Sequence, residues 1–264
     1  MFIVIILLGA LPSQQSPGNP AISSPKTSAV DLTALQSKAE SGDGEAQFQM
    51  GQAFESGVSV KQNDAEAAKW YRMAAEHGNA AAQVQLGILL WTGRGVDKDK
   101  TEAVTWYRKA AKQGNSAAMF NLGTAYYNGE GLSTDNLRAL EWFLLAQNHG
   151  STLANDAVTR FHVNAKPNEF NQAYIRIAEM FVEGKELNQD YVEAAKWYHK
   201  AAEEGDASAA AKLGLILAGA GAFDRALPWC RDLLESRKLG VRLGGLDPAQ
   251  LRFLHVGSVV AVIA

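Results

Sequence analysis

The chain has 264 residues, a single cysteine, a formal net charge of −3 and a sequence pI near 6.0. One thiol excludes an internal disulfide framework. The lack of a basic excess leaves no electrostatic footprint for nucleic acid.

The chain opens with an apolar run, Phe2–Leu11. It is far short of the roughly 20 residues that span a bilayer, so no integral membrane span is expected. It fits the core of a secretory signal peptide without a basic leader, with cleavage after Ala10 or Ala29. The expected location is therefore periplasmic or secreted; a buried first helix in a cytoplasmic protein is the alternative. Residues 12–30 hold Pro12, Pro17, Pro20 and Pro25 among Ser, Gln and Gly and read as a disordered linker. Ser23 and Lys26 stand at the Ser-x-x-Lys spacing of penicillin-interacting enzymes, but in a proline-rich linker rather than on a helix.

From residue 31 a 36-residue period takes over. Gly51, Gly87 and Gly123 are evenly spaced, as are Trp70, Trp106 and Trp142, and a further copy follows around Trp197. A period of about 20–50 residues is the mark of stacked repeats. Asp31–Gly42 reads as a lone second helix capping the array. Repeats are then expected at 44–79, 80–115 and 116–150, each a pair of helices. In the second copy helix A covers about Ala81–Trp91 on the stripe Ala82, Leu86, Leu89, Leu90, and Gly93 and Gly95 break it. Helix B opens at an N-cap column holding Asn63, Asp99, Asp135 and Asp190. Glu66, Glu102 and Glu193 three residues on suggest capping boxes. Helix B carries alanine–tryptophan–alanine stripes and stops at Gly78, Gly114, Gly150 and Gly205. One such hairpin is too small to bury its own apolar face, so neighbours must stack, with the tryptophans filling the space between them.

The pattern A-x-Q-x-x-x-G, G-x-G, D-x-x-x-A-x-x-W-Y-x-x-A-A-x-x-G-N closely resembles the Sel1-like repeat, a relative of the tetratricopeptide repeat. The resemblance covers about Glu45–Asp206 apart from an insertion. It implies an all-α fold, an α/α superhelical solenoid of helix-turn-helix repeats, acting as an adaptor for other proteins.

The insertion, 151–170, carries a helical stripe of Leu153, Ala154, Ala157, Val158 and Phe161 closed by Pro167. It is expected to be one extra helix that makes a joint, a degenerate repeat whose helix B was lost being the alternative; His162 within it reads as a surface or packing residue. A fourth repeat follows at 171–206, with Ala178 in the glycine column. Residues 207–238 are an eroded repeat in which Pro228 interrupts helix B and Cys230 replaces the aromatic residue after Trp229. Residues 239–264 form a cap or tail with a short helix from Asp247-Pro248.

No metal motif or phosphate loop is present. Gly93-x-Gly95 and Gly129-x-Gly131 follow a helix rather than a strand, and Asp97-x-Asp99 lacks the glycine and distal glutamate of a calcium loop. No cofactor and no catalytic residue are expected. The expected function is a monomeric, non-enzymatic scaffold for a protein or peptide partner; the alternative is an exported hydrolase of the penicillin-binding or β-lactamase type. By analogy with tetratricopeptide solenoids, helix A lines a concave groove in three columns. They are Phe48, Val84, Phe120 and Ile175; Gln52, Ile88, Thr124 and Glu179; and Glu55, Trp91, Tyr127 and Val182. Trp91 and Tyr127 suggest an exposed aromatic anchor for a partner peptide or helix; the competing reading, which weighs more, is that Trp91 packs on its neighbour's helix A.

Overall fold

The computed structural model describes residues 32–164 and 168–219. Among these the chain is all-α: eleven helices joined in order by short turns. They are α1 (Leu32–Glu40), α2 (Gly44–Ser56), α3 (Asp64–Glu76), α4 (Ala80–Thr92), α5 (Lys100–Lys112), α6 (Ser116–Asn128), α7 (Asn136–Asn148), α8 (Thr152–Asn164), α9 (Glu169–Glu183), α10 (Tyr191–Glu203) and α11 (Ala207–Gly219). The chain divides between Val158 and Thr159, inside α8, into two compact units. The readings of Pro12–Ala29, Pro228, Cys230 and the 239–264 tail fall outside the described residues.

In the first unit α2–α3, α4–α5 and α6–α7 are antiparallel hairpins, and each new hairpin packs its first helix on the second helix of the one before. The boundaries follow from local chemistry. Asn63, Asp99, Asp135 and Asp190 accept hydrogen bonds from backbone N–H groups in the first turn of α3, α5, α7 and α10. The glutamates three residues on do not close capping boxes. The backbone N–H of each cap residue already donates to helix A, as Asn63 does to Phe54 and Asp99 to Leu90, both at 2.9 Å. The carboxylates are thus free for other partners: Glu66 pairs with Lys69, and Glu193 with Lys196.

Gly-Asn at the repeat boundary has two jobs. Gly78 and Gly114 end helix B at φ of 88° and 85°. Asn79 and Asn115 then cap the next helix A, accepting from Ala82 and Ala118.

The glycine column is explained by the aromatic residue that follows each tryptophan. A Cβ on Gly51 would lie 2.5 Å from the Tyr71 ring, one on Gly123 2.6 Å from Phe143, and one on Gly87 closer still to Tyr107. Those rings are fully buried, laid directly on the helix A backbone. Helix propensity alone favours alanine over glycine by about 1 kcal/mol; the ring reverses the sign. Gly87→Ala is expected to destabilise by about 1–3 kcal/mol, measured as a lower urea midpoint. A raised midpoint would mean that the ring yields freely and the contact does not set the column.

The glutamine of A-x-Q is a clasp between repeats. Gln47 is buried; its amide donates to the Ala39 carbonyl on α1 at 3.0 Å, and its oxygen meets His77 Nδ1 at 2.8 Å. Gln83 repeats this one unit on, donating to Ala75 O at 3.1 Å and accepting from Gln113 at 3.0 Å. His77 and Gln113 occupy one column, and each gives its hydrogen to the buried amide.

α8 starts 36 residues after α6, and Ala154 takes the buried alanine column of Ala46, Ala82 and Ala118. It therefore has the register of a helix A. The next described helix, α9, begins too soon for a helix B to intervene. Among the described residues, the 151–170 segment thus carries a helix in helix A register that is followed by α9.

In the second unit α9 and α10 form a hairpin, and α11 packs on α10. His162 stacks on Phe170, 3.9 Å between ring centroids, and Tyr174 lies 5.9 Å from Trp197. His162 is thus a packing residue. Ala178, in the glycine column, is fully buried.

Candidate functional site

The three helix A columns lie on one face of each helix, but that face is not uniformly open. On α2, Gln52 is exposed and Phe48 and Glu55 are half-buried. On α4 and α6, Val84, Ile88, Phe120 and Thr124 are buried; Thr124 also turns its hydroxyl onto the Phe120 carbonyl at 3.0 Å. On α9, in the second unit, Ile175, Glu179 and Val182 are all half-buried, and Glu179 pairs with Lys212 at 2.7 Å.

At Trp91 the structure takes the packing reading over the exposed anchor. Trp91 is 7% exposed. Its ring lies 6.3 Å from that of Tyr107, with Lys100 Nζ 5.0 Å from its centroid. The indole is interior because the column that holds hydrophilic Glu55 in repeat 1 faces a buried phenol. Glu55 accepts from the Tyr71 hydroxyl at 2.7 Å; Trp91 can only pack on its Tyr107 counterpart. Tyr127 is half-buried. Burial, with the Glu55 carboxylate beside it, pushes the Tyr71 hydroxyl well above the usual phenol range, and burial alone raises Tyr107.

The second helices show a similar gradient. Lys69 and Met73 are exposed and Arg72 half-exposed on α3, whereas Glu141, Leu144 and Leu145 are buried at the same columns of α7. Glu141 pairs with Arg138 at 3.2 Å. Repeat 3 is therefore closed at positions that repeat 1 offers to solvent. The sequence carries a signal for this that the helix A columns alone miss: Leu144 stands where the other copies have Arg72, Arg108 and His199, and Leu145 where they have Met73, Lys109 and Lys200.

The tryptophan column is interior. Trp142 and Trp197 are each 1% exposed, Trp106 is buried, and Trp70 packs at the edge of the Ala39–Ala46–Met50 cluster that joins α1 to α2. Trp106 Nε1 donates to Glu102 at 3.0 Å, and Arg72 reaches the same carboxylate oxygen from repeat 1 at 2.6 Å. The Arg72 hydrogen bond, against opposing desolvation, holds the Glu102 carboxyl below the usual range. Lys109 and Lys200 stand over the Trp106 and Trp197 rings at 3.8 and 3.9 Å.

Among the described residues there is no cluster of three or more His, Cys, Asp or Glu placed to hold a metal, and no helix long and apolar enough to cross a membrane. The Ser23–Lys26 pair lies outside them.

Comparison with known proteins adds to this geometry. The family model described as Sel1 repeat matches residues 44–79, 80–115, 116–151 and 171–206. Among solved structures, the chain is similar to a protective antigen present in uropathogenic Escherichia coli strains and displaying an SLR fold. That match has 25% identity and a TM-score of 0.50, over 87% of this chain and 56% of that one. The chain thus spans just over half the length of the E. coli protein. A Sel1 repeat protein from Oxalobacter formigenes is 41% identical over 49% of this chain and 98% of its own, with a TM-score of 0.46. No curated protein matches. The model's matches take in more than half of the chain and coincide with the hairpins described above, and the chain belongs to the Sel1 repeat family.

Proposed function

We propose that this protein is a non-enzymatic scaffold that holds a peptide or helix of another protein against the helix A face of its repeats. The observation that carries this reading is the unequal exposure of that face. On α2 Gln52 is exposed and Phe48 and Glu55 are half-buried, whereas the equivalent residues on α4 are buried. An apolar ring flanked by an amide and a carboxylate suits an extended or helical segment with alternating apolar and polar groups. Ile175, Glu179 and Val182 on α9 offer the second unit a comparable surface. We further propose export to the periplasm or the medium, on the strength of the Phe2–Leu11 run. The E. coli relative's description as a protective antigen agrees with an exported protein.

The test is affinity capture with the mature chain, comparing wild type with Phe48→Glu/Gln52→Arg and with Ile175→Glu. The expected result is a partner retained by wild type and lost from one variant, with unfolding midpoints unchanged. Equal recovery on all three proteins would overturn the assignment of the face. Turnover of a chromogenic β-lactam by pure protein would overturn the non-enzymatic reading.

A further inference from the structure

The loops joining helix A to helix B within each hairpin share one backbone shape and differ in charge. In repeat 2 the loop Arg94-Gly95 rests on the start of α3, in repeat 1. A Cβ on Gly95 would overlap the Asp64 carbonyl and lie 2.6 Å from Ala65 N. In repeat 3 the loop Glu130-Gly131 rests on the start of α5, in repeat 2, where a Cβ on Gly131 would lie 2.5 Å from the Lys100 carbonyl oxygen. The two glycines have φ of 72° and 74°. As far as the backbone is concerned, either loop would fit either seat.

The side chains decide otherwise. At the first junction the Arg94 guanidinium pairs with Glu55, and its Nε lies 3.1 Å from Asp64 Oδ2 as an ion pair without hydrogen-bond geometry. At the second, Lys100 Nζ lies 2.8 Å from Glu130 Oε1 and above the Trp91 ring. Positions 55, 64 and 94 correspond to 91, 100 and 130, one period on. The set acid, acid, cation has become indole, cation, acid, and each junction stays attractive because all three positions change together. Seating the repeat 3 loop on repeat 1 would bring Glu130 against Glu55 and Asp64. Seating a repeat 2 loop on α5 would bring Arg94 against Lys100.

We propose that this reversal is an order code: it makes repeat 2 the neighbour of repeat 1 and repeat 3 the neighbour of repeat 2. Tandem units of one backbone shape are prone to pairing with the wrong neighbour, within a chain or between two copies. Looping out one 36-residue repeat carries only a small closure cost, because that cost grows slowly with loop length. Discrimination must therefore sit at the junctions. These pairs are partly exposed, so each is worth about a two- to five-fold change in an equilibrium constant. Reversing the sign at a wrong junction both removes that gain and adds repulsion.

The test uses the full chain and four variants: Glu130→Gln, Glu130→Arg, Lys100→Glu and Lys100→Glu/Glu130→Arg. Each is unfolded and refolded at high protein concentration and low salt, and exchanged oligomers are counted by size-exclusion chromatography with light scattering. Glu130→Arg is repelled by Lys100 and attracted to Glu55 and Asp64. It is expected to raise the exchanged fraction several-fold over Glu130→Gln, and 0.5 M salt is expected to remove that excess. In a double-mutant cycle with Lys100→Glu, the double variant is expected to recover about two- to five-fold in the folding equilibrium relative to the sum of the singles. Equal exchanged fractions for Glu130→Arg and Glu130→Gln would overturn the code, and so would a cycle with no coupling.

Discussion

Trp142→Ala is expected to lower the stability of the first unit by about 3–5 kcal/mol, the range for deleting a large buried aromatic side chain. The indole is among the largest fully buried side chains in the protein and sits on α7, the second helix of repeat 3. In a stacked array stability is close to a sum of units and nearest-neighbour interfaces. Losing this ring therefore removes the interior of repeat 3 and weakens its junction with repeat 2. Equilibrium urea unfolding followed by helical circular dichroism reads the effect directly. A companion variant sharpens the argument. Trp142 Nε1 has no hydrogen-bond partner among the described residues, whereas Trp106 Nε1 donates to Glu102. The Glu102 column holds Arg138 in repeat 3, which cannot accept. Trp142→Phe should therefore cost less than Trp106→Phe, which also orphans part of the Arg72–Glu102 pair. A Trp142→Ala midpoint equal to wild type would mean that the tryptophan column is not the interior of the array.

Gly95→Ala is expected to destabilise the same unit by about 3 kcal/mol, through two additive causes. Its φ of 72° is left-handed, which costs an L-residue roughly 1–2 kcal/mol. The added methyl would also run into backbone, the Asp64 carbonyl and Ala65 N, which cannot rotate aside as a side chain can. The loop must lift from α3, taking with it the Arg94 pairs to Glu55 and Asp64. Gly93→Ala is the useful comparison. It has a similar φ, 76°, but its nearest neighbour is the Lys98 side chain at 3.1 Å, so it should show the backbone cost with little of the clash. Thermal unfolding of the two variants side by side separates the terms. Equal losses would reduce Gly95 to an ordinary turn glycine and remove the seating of each loop on the preceding helix.

Much of the fold is legible in the chain because its determinants are local. Asn63, Asp99, Asp135 and Asp190 cap helices wherever they stand, and Gly78, Gly114, Gly150 and Gly205 supply positive φ cheaply, so boundaries follow from neighbours in sequence. The 36-residue period then dictates stacking, since no single hairpin can bury its own stripe.

The face open to a partner is not local. Phe48 and Val84 share a column and differ in burial, and Lys69 and Glu141 do likewise. Trp91 has the spacing of an anchor, yet Tyr107 on the facing helix makes it interior. Period and caps were thus determined by the sequence itself. Which columns are interior, and why glycine recurs beneath Tyr71, Tyr107 and Phe143, were decided only by the tertiary structure. The physical reason is that solvent exposure depends on what packs across from a residue, and packing partners on another helix or a whole repeat away leave no mark in local spacing.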